Sequence, residues 1–268
     1  MADSKFKTTE LSDPQFGMDG LRFITVKTPN LKGRGDLCVF VPKGENLKDL
    51  PIVTLLHGVY GSAWIWTMKG GAHQTTQRLI DEQKIKPMIL AMPSDGLWGD
   101  GSGYLPHSGL DFEKWIAEDV PAAVIENIPE ASADSPRFIG GLSMGGYGAL
   151  RIGAKYANRY RGISGHSSIT ELNQMALFVE EPLSAYFQTE ERDESVFFTL
   201  KDNQASLPPL RFDCGADDLL IEHNRELSAL LTQHNIKHIY EEFEGGHQWE
   251  YWQTHLVDTL LFFDKTTR

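Results

Sequence analysis

Gly141-Leu142-Ser143-Met144-Gly145 has the form G-x-S-x-G. This pattern presents a serine hydroxyl for nucleophilic attack when a strand precedes it and a helix follows. Both flanks are readable here. Ser135 to Gly140 reads as a turn and then a short apolar strand, and Gly146 to Tyr156 has the small and apolar spacing of a buried helix. The glycines have a physical reason. The serine must stand at a strained turn, and a Cβ two residues to either side would collide with neighbouring backbone. The turn also puts Ser143 at a helix N-terminus, where free N–H groups favour developing negative charge. Glycine-rich phosphate loops are the rival reading of this stretch. No Gly-Lys-Ser/Thr ending follows it and no G-x-G-x-x-G fingerprint lies within it, so the test becomes whether the serine has partners.

A serine hydroxyl needs a base to take its proton, and the base needs a third group to hold it. On a strand–turn–helix frame the acid and then the histidine follow the serine in the chain. The histidines after Ser143 are His166, His223, His234, His238, His247 and His255. His247 lies in Glu244-Gly245-Gly246-His247-Gln248-Trp249, a glycine loop from which an imidazole can reach an active centre. His223, His234 and His238 fall in or beside a polar helical stretch, 219–234, and read as surface residues. His255 belongs to the last helix, and His166 ends a strand where it could border a pocket. The acid is expected where the strand 209–215 runs into Ala216-Asp217-Asp218, with Asp213 inside the strand. Spacing does not separate Asp217 from Asp218: one should hold the imidazole and the other cap the following helix.

A tetrahedral oxyanion needs two N–H donors. One is expected from Met144, after the nucleophile. The other should come from the loop that ends an upstream core strand. The apolar run 51–56 has that character and ends in His57-Gly58-Val59-Tyr60-Gly61. Val59 N–H is the expected second donor, with Gly58 and Tyr60 beside the substrate. His57 precedes the serine, the wrong order for the base, and reads as a loop-fixing residue.

The elements that must position these groups follow from periodicity. Residues 1–19 read as a loose arm. Strands are expected over 21–28 and 36–41, joined by a hairpin at Gly33 and Gly35, then over 51–56 and 88–92, with a helix over 75–83. The glycine-rich segment 95–107 reads as a loop over the C-terminal edge of the sheet, where open α/β folds bind ligands. Its Trp98 and Tyr104 are expected to line the pocket. A helix over 111–128, with Trp115 and Val120 in the core, leads to the elbow strand and helix over 137–156. Residues 167–208 have little strand character but carry an apolar set from Leu177 to Phe198. They read as a cap insertion, either a lid or a helical piece packed on the body. The C-terminal helix covers 251–263. The whole predicts one α/β domain over 1–268, a mostly parallel central sheet flanked by helices.

Taken together, Leu55-Leu56-His57-Gly58 with Gly61 and Trp64 or Trp66, the elbow through Leu150, Cys214-Gly215-Ala216-Asp217-Asp218 and Gly245-Gly246-His247-Gln248-Trp249-Glu250-Tyr251-Trp252 resemble the esterase D-like family of α/β-hydrolases. That family includes S-formylglutathione hydrolases, tributyrin-type carboxylesterases, feruloyl and acetyl-xylan esterases and mycolyltransferases. The resemblance covers roughly residues 21–263. Its Cys-Gly-x-x-Asp pattern implies that Asp218 is the catalytic acid. The chain looks closest to the compact tributyrin-type esterases. It departs from the formylglutathione hydrolases in its Gly-Leu-Ser elbow and in lacking their Ser-Gly-Leu-Thr-Cys run. The expectation is a serine carboxylesterase for small to medium acyl esters, needing no cofactor and no metal. A thioesterase, a feruloyl or acetyl-xylan esterase and an acyltransferase are alternatives on the same triad. A non-catalytic module on this fold predicts a broken constellation, and here every element stands in order.

Composition bounds the partners. A chain of 268 residues with net charge −12 is large enough for a sizeable core and is a poor match for nucleic acid. The polar start Met-Ala-Asp-Ser-Lys-Phe-Lys gives no secretory leader, and no apolar run is long enough to span a membrane. Cys38 and Cys214, the two cysteines, sit in strand-like contexts and read as buried free thiols in a reducing cytoplasm.

Overall fold

The computed structural model describes residues 4–267. A nine-stranded sheet runs through it. Strands β1 (Thr9–Leu11), β2 (Leu21–Thr28) and β3 (Gly33–Phe40) form an antiparallel wing. β4 (Ile52–Leu56) and β5 (Ile89–Pro93) follow, and β5 receives β3 antiparallel. A separate ribbon, β6 (Pro106–His107) and β7 (Leu110–Asp111), lies beyond. The main sheet continues with β8 (Arg137–Leu142), β9 (Gly162–His166), β10 (Leu210–Gly215) and β11 (Ile239–Phe243). Its order is β1-β2-β3-β5-β4-β8-β9-β10-β11, parallel from β5 onward.

Helices cover both faces, which is why β4, β5, β9 and β10 are buried along their whole length. α1 (Ile65–Met68) and α2 (Ala72–Asp81) come first. α3 (Phe112–Lys114) passes through a π-turn, Trp115–Asp119, into α4 (Val120–Asn127). α5 (Met144–Lys155), α6 (Val196–Asp202), α7 (Ile221–Gln233) and α8 (Trp249–Thr266) complete the set. One core packs α4, α5, α6 and α7 on one face, through residues such as Trp115, Val124, Leu150, Leu200 and Leu227. The other packs α2 and α8 on the opposite face, through Leu79, Leu256, Leu260 and Phe263.

The differences from expectation have local causes. Residues 1–19 are not wholly a loose arm, because Thr9, Glu10 and Leu11 pair with Val26, Thr25 and Ile24. The helix expected over 111–128 is present but widened at its π-turn. Pro121 there lacks the N–H that would bond back to Ala117, and the ladder expands around it. Strand β11 carries no apolar alternation, since an edge strand with mostly exposed residues needs none. Residues 167–208 fold as short 3-10 turns and α6, with Ile169, Leu172, Met175, Tyr186, Val196 and Leu200 in the core. Tyr147 Oη donates to Glu194 O at 2.7 Å and Arg151 Nε to Asp193 O at 2.7 Å, tying this segment to α5.

Candidate active site

The carboxyl ends of β4, β8, β9, β10 and β11 lie in that order along the sheet, and the loops after β4, β8, β10 and β11 each carry one candidate functional group. Ser143 links β8 to α5 at φ 55° and ψ −119°, a sparsely populated conformation for a residue with a side chain. The flanking glycines permit it. A Cβ on Gly145 would lie 2.3 Å from Leu56 O, and one on Gly141 would lie 2.3 Å from Gly145 O. Ser143 N–H donates to His166 O at 2.9 Å, which fixes the turn against β9.

The acid and base loops are bound to each other. Ala216 N–H donates to Phe243 O at 2.8 Å, and Asp217 N–H donates to Gly245 O at 2.9 Å. Gly245 takes φ +124°, and a Cβ on Gly215 would come within 2.2 Å of Gly245 O, so this close approach needs glycine on both sides. The result is a continuous relay. His247 Nε2 lies 3.0 Å from Ser143 Oγ, and His247 Nδ1 lies 3.0 Å from both carboxylate oxygens of Asp218. With Nδ1–H facing the carboxylate, the Nε2 lone pair faces the serine hydroxyl. An imidazole so held can take the hydroxyl proton while the carboxylate balances the charge.

Asp218 is buried, and burial pushes its carboxyl upward. Hydrogen bonds and charge from His247, the Leu220 N–H at 2.9 Å and the Ser167 hydroxyl outweigh that, and its pKa is lowered. Asp217 is exposed, and α7 begins without a side-chain cap, so the expectation that the second aspartate caps the helix is corrected. Asp218 faces His247, and one of its oxygens also receives the Leu220 N–H in the turn just before α7. The ring of Phe178 stacks on His247 at 5.2 Å, and Trp252 meets it edge-on at 5.0 Å.

Val59 N–H has no acceptor among the described residues, whereas Tyr60 N–H donates to Asp100 O and Gly61 N–H to Gly58 O. Met144 stands at the first position of α5, where intrahelical bonding offers its N–H no acceptor. Both groups therefore flank the elbow with free donors. An ideal Cβ on Gly58 would be 3.7 Å from Ser143 Oγ, which places that backbone against the nucleophile.

A cleft of about 620 Å³ opens over Ser143 and His247. Gly58 and Tyr60 line it as expected. Trp98 and Tyr104 do not. Tyr104 is fully buried, with its phenol hydrogen-bonded to His57 N and O at 3.1 and 3.0 Å. Gly148 leaves room for its ring, since a Cβ there would be 2.7 Å from Tyr104. Trp98 packs instead on His107 at 4.5 Å and Tyr186 at 5.3 Å. Nor does His166 border the cleft: it is buried, with Nδ1 on Asp213 at 2.9 Å and Nε2 2.8 Å from Thr259 Oγ1. The aromatic walls come from Trp64, Phe178, Trp249 and Trp252. Trp64 and Trp249 were legible as motif residues, and Phe178 as part of the apolar insertion, but nothing in their spacing gave their direction. Among the described residues no group of three or more His, Cys, Asp or Glu side chains is placed to hold a metal ion, and no helix is long and apolar enough to cross a membrane.

The model of the Putative esterase family matches residues 28–263. An acetyl esterase of Caldicellulosiruptor saccharolyticus is 30% identical over 267 residues, covering 92% of this chain and 92% of that protein. An S-formylglutathione hydrolase from Agrobacterium tumefaciens superposes with a TM-score of 0.78 at 18% identity, over 98% of this chain and 99% of its own. A ferulic acid esterase superposes with a TM-score of 0.77 at 22% identity, over 97% and 99%. The two structural likenesses show the α/β-hydrolase fold. The chain belongs to the Putative esterase family, and its enzymatic class is carboxylic-ester hydrolysis.

Proposed function

We propose that the protein is a serine carboxylesterase that works through an acyl-enzyme on Ser143. The observation that carries this reading is the unbroken relay from Ser143 Oγ to His247 to Asp218, with both links at 3.0 Å, on a strained elbow. Ser143 Oγ attacks the ester carbonyl carbon, and His247 Nε2 takes the hydroxyl proton. The oxyanion is received by Val59 and Met144 N–H groups. His247 returns the proton to the departing alcohol oxygen, leaving an ester on Ser143. Water then attacks by the same steps in reverse, releasing the acid. Asp218 holds the imidazole and balances its charge throughout. The relative named acetyl esterase and the aromatic walls, beside which Lys69 and Glu250 also line the cleft, support an ester of a small to medium acyl group. Buried thiols at Cys38 and Cys214 support a cytoplasmic setting.

The test is hydrolysis of a p-nitrophenyl series, acetate to octanoate, together with a feruloyl ester and S-formylglutathione, by wild type and Ser143→Ala. The expected result is turnover strongest on the shorter acyl chains and a kcat roughly 10⁶-fold lower in the variant, with folding intact. Turnover that survives Ser143→Ala refutes the acyl-enzyme. Added alcohols distinguish hydrolysis from acyl transfer: a new ester among the products signals transfer.

A further inference from the structure

His57 is a fully buried histidine outside the relay, and its hydrogen bonds define its tautomer. Asp95 N–H donates to His57 Nε2 at 3.1 Å, so Nε2 is an acceptor. The ring proton therefore sits on Nδ1, which donates to Gly58 O at 2.7 Å. Gly61 N–H reaches the same carbonyl at 3.3 Å, and Gly61 lacks a Cβ that would stand 2.3 Å from His57 Nδ1. The structure contains no cis peptide bond among the described residues, so the Gly58–Val59 peptide is trans and its C=O and N–H point in opposite directions. With Gly58 O held toward the buried imidazole, Val59 N–H is turned the other way, toward the side where Gly58 meets Ser143.

The imidazole is held in turn. Tyr104 Oη donates to His57 O at 3.0 Å and accepts from His57 N–H at 3.1 Å, so one phenol grips both backbone groups of this residue. Asp95 is gripped as well, its carboxylate accepting Leu97 N–H at 2.9 Å and Ser102 N–H at 2.6 Å.

We infer that His57, fixed by Asp95 and Tyr104, is a positioning residue that sets one donor of the oxyanion hole by holding the Gly58 carbonyl inward. This rests on the proposed esterase reading and adds to it a residue that never touches substrate. An oxyanion donor acts in the transition state and not on bound substrate, so its misalignment lowers kcat and leaves KM alone.

Two substitutions separate the ring nitrogens. The amide nitrogen of His57→Asn occupies the Nδ1 position and can still donate to Gly58 O. The longer His57→Gln reaches the Nε2 position and cannot serve that carbonyl. Both variants are assayed on p-nitrophenyl acetate beside wild type and Ser143→Ala, with Tm recorded for each. A boronic acid that forms a tetrahedral adduct on the serine is the transition-state probe. The expected result is a kcat for His57→Asn within about threefold of wild type. For His57→Gln, kcat falls roughly 10- to 100-fold with KM within about twofold, below the 10²–10³ for losing a donor outright. Boronate affinity of the Gln variant weakens by a similar factor, independent of Tm. Wild-type kcat in His57→Gln, equal impairment of both variants, or a loss carried by KM overturns the inference. Activity persisting in Ser143→Ala sinks the esterase reading itself, whereas an inert Ser143→Ala beside an unaffected His57→Gln removes only the positioning role.

Discussion

Replacing Asp218 by Asn keeps the shape of the acid and changes one proton, and the structure indicates which way the amide will turn. Asp218 Oδ1 accepts Leu220 N–H at 2.9 Å, and both carboxylate oxygens lie 3.0 Å from His247 Nδ1. An Asn side chain keeps the Leu220 bond only with its carbonyl oxygen at the Oδ1 position. Its NH₂ then occupies the Oδ2 position and faces His247 Nδ1 as a donor. Nδ1 must become an acceptor, the ring proton moves to Nε2, and Nε2 can no longer take the Ser143 proton. Loss of the correct tautomer costs about 10⁴ in kcat in a serine triad, or about 5.5 kcal/mol of transition-state stabilisation. Asp217→Asn changes an exposed side chain whose structural contact is made by its backbone N–H, and should alter kcat by less than about threefold. Steady-state kinetics on p-nitrophenyl acetate, with circular dichroism to verify folding, decide it. Asp218→Asn retaining more than about a tenth of wild-type kcat, or an equal loss at both positions, refutes the assignment of the acid.

Three further outcomes follow from packing and charge. Burial raises the carboxyls of Asp213 and Asp218, but their partners outweigh it and both pKa values are lowered, so their stabilisation is complete above about pH 4 and is lost as pH falls through the lowered folded values. Thermal melts from pH 7 to 3 should show that loss in wild type and a flatter profile in Asp213→Asn; identical slopes would remove Asp213 from the account. Gly145→Ala puts a methyl 2.3 Å from Leu56 O and should cost about 3 kcal/mol or more in urea unfolding. Gly71→Ala, at φ +61° with nothing nearer than 3.7 Å, should cost roughly 1 kcal/mol, and a reversed order would refute the steric reading. Burial pushes the Cys38 thiol to about 11 and the Cys214 thiol higher, so neither should react with a thiol reagent at neutral pH until the protein is denatured, and rapid native labelling of either would contradict it.

The candidate site was legible where residue type and local spacing are constrained by the turn that carries them. The elbow needs glycines because backbone approaches backbone at Leu56 and Gly145, and that requirement is local enough to read from five residues. His247 stood out because the two glycines before it make a loop from which an imidazole can reach the cleft. Asp217 and Asp218 were inseparable by spacing. Adjacent residues leave a turn in different directions, and only Asp218 is turned inward by the hydrogen bond to Leu220. The same limit misassigned Tyr104. An aromatic in a glycine-rich loop above the sheet suggests a pocket wall, but Tyr104 takes φ +54° and swings into space left by Gly148. β1 and β11 escaped notice because each is an edge strand with one neighbour, and little apolar patterning is demanded of it.

Asp213 links three of the loops that form the candidate site from beneath. In sequence it is a charge inside an apolar strand, with no evident task. In the fold its carboxylate is buried and meets Arg211 Nη1 at 2.9 Å, His166 Nδ1 at 2.9 Å and Tyr251 Oη at 2.8 Å. Those partners come from β10, from the end of β9 beside the elbow, and from the first turn of α8 after His247. Ser167 N–H donates to Asp213 O at 2.8 Å, and Ser167 Oγ receives the Trp252 indole N–H at 3.2 Å, behind the ring that abuts His247. A buried charge of this kind is expensive unless every partner is in place, so partial disorder of any member is penalised by several kcal/mol. That penalty makes the layer beneath the relay nearly all-or-none. The loops of Ser143, Asp218 and His247 above it thus rest on elements that share one buried carboxylate.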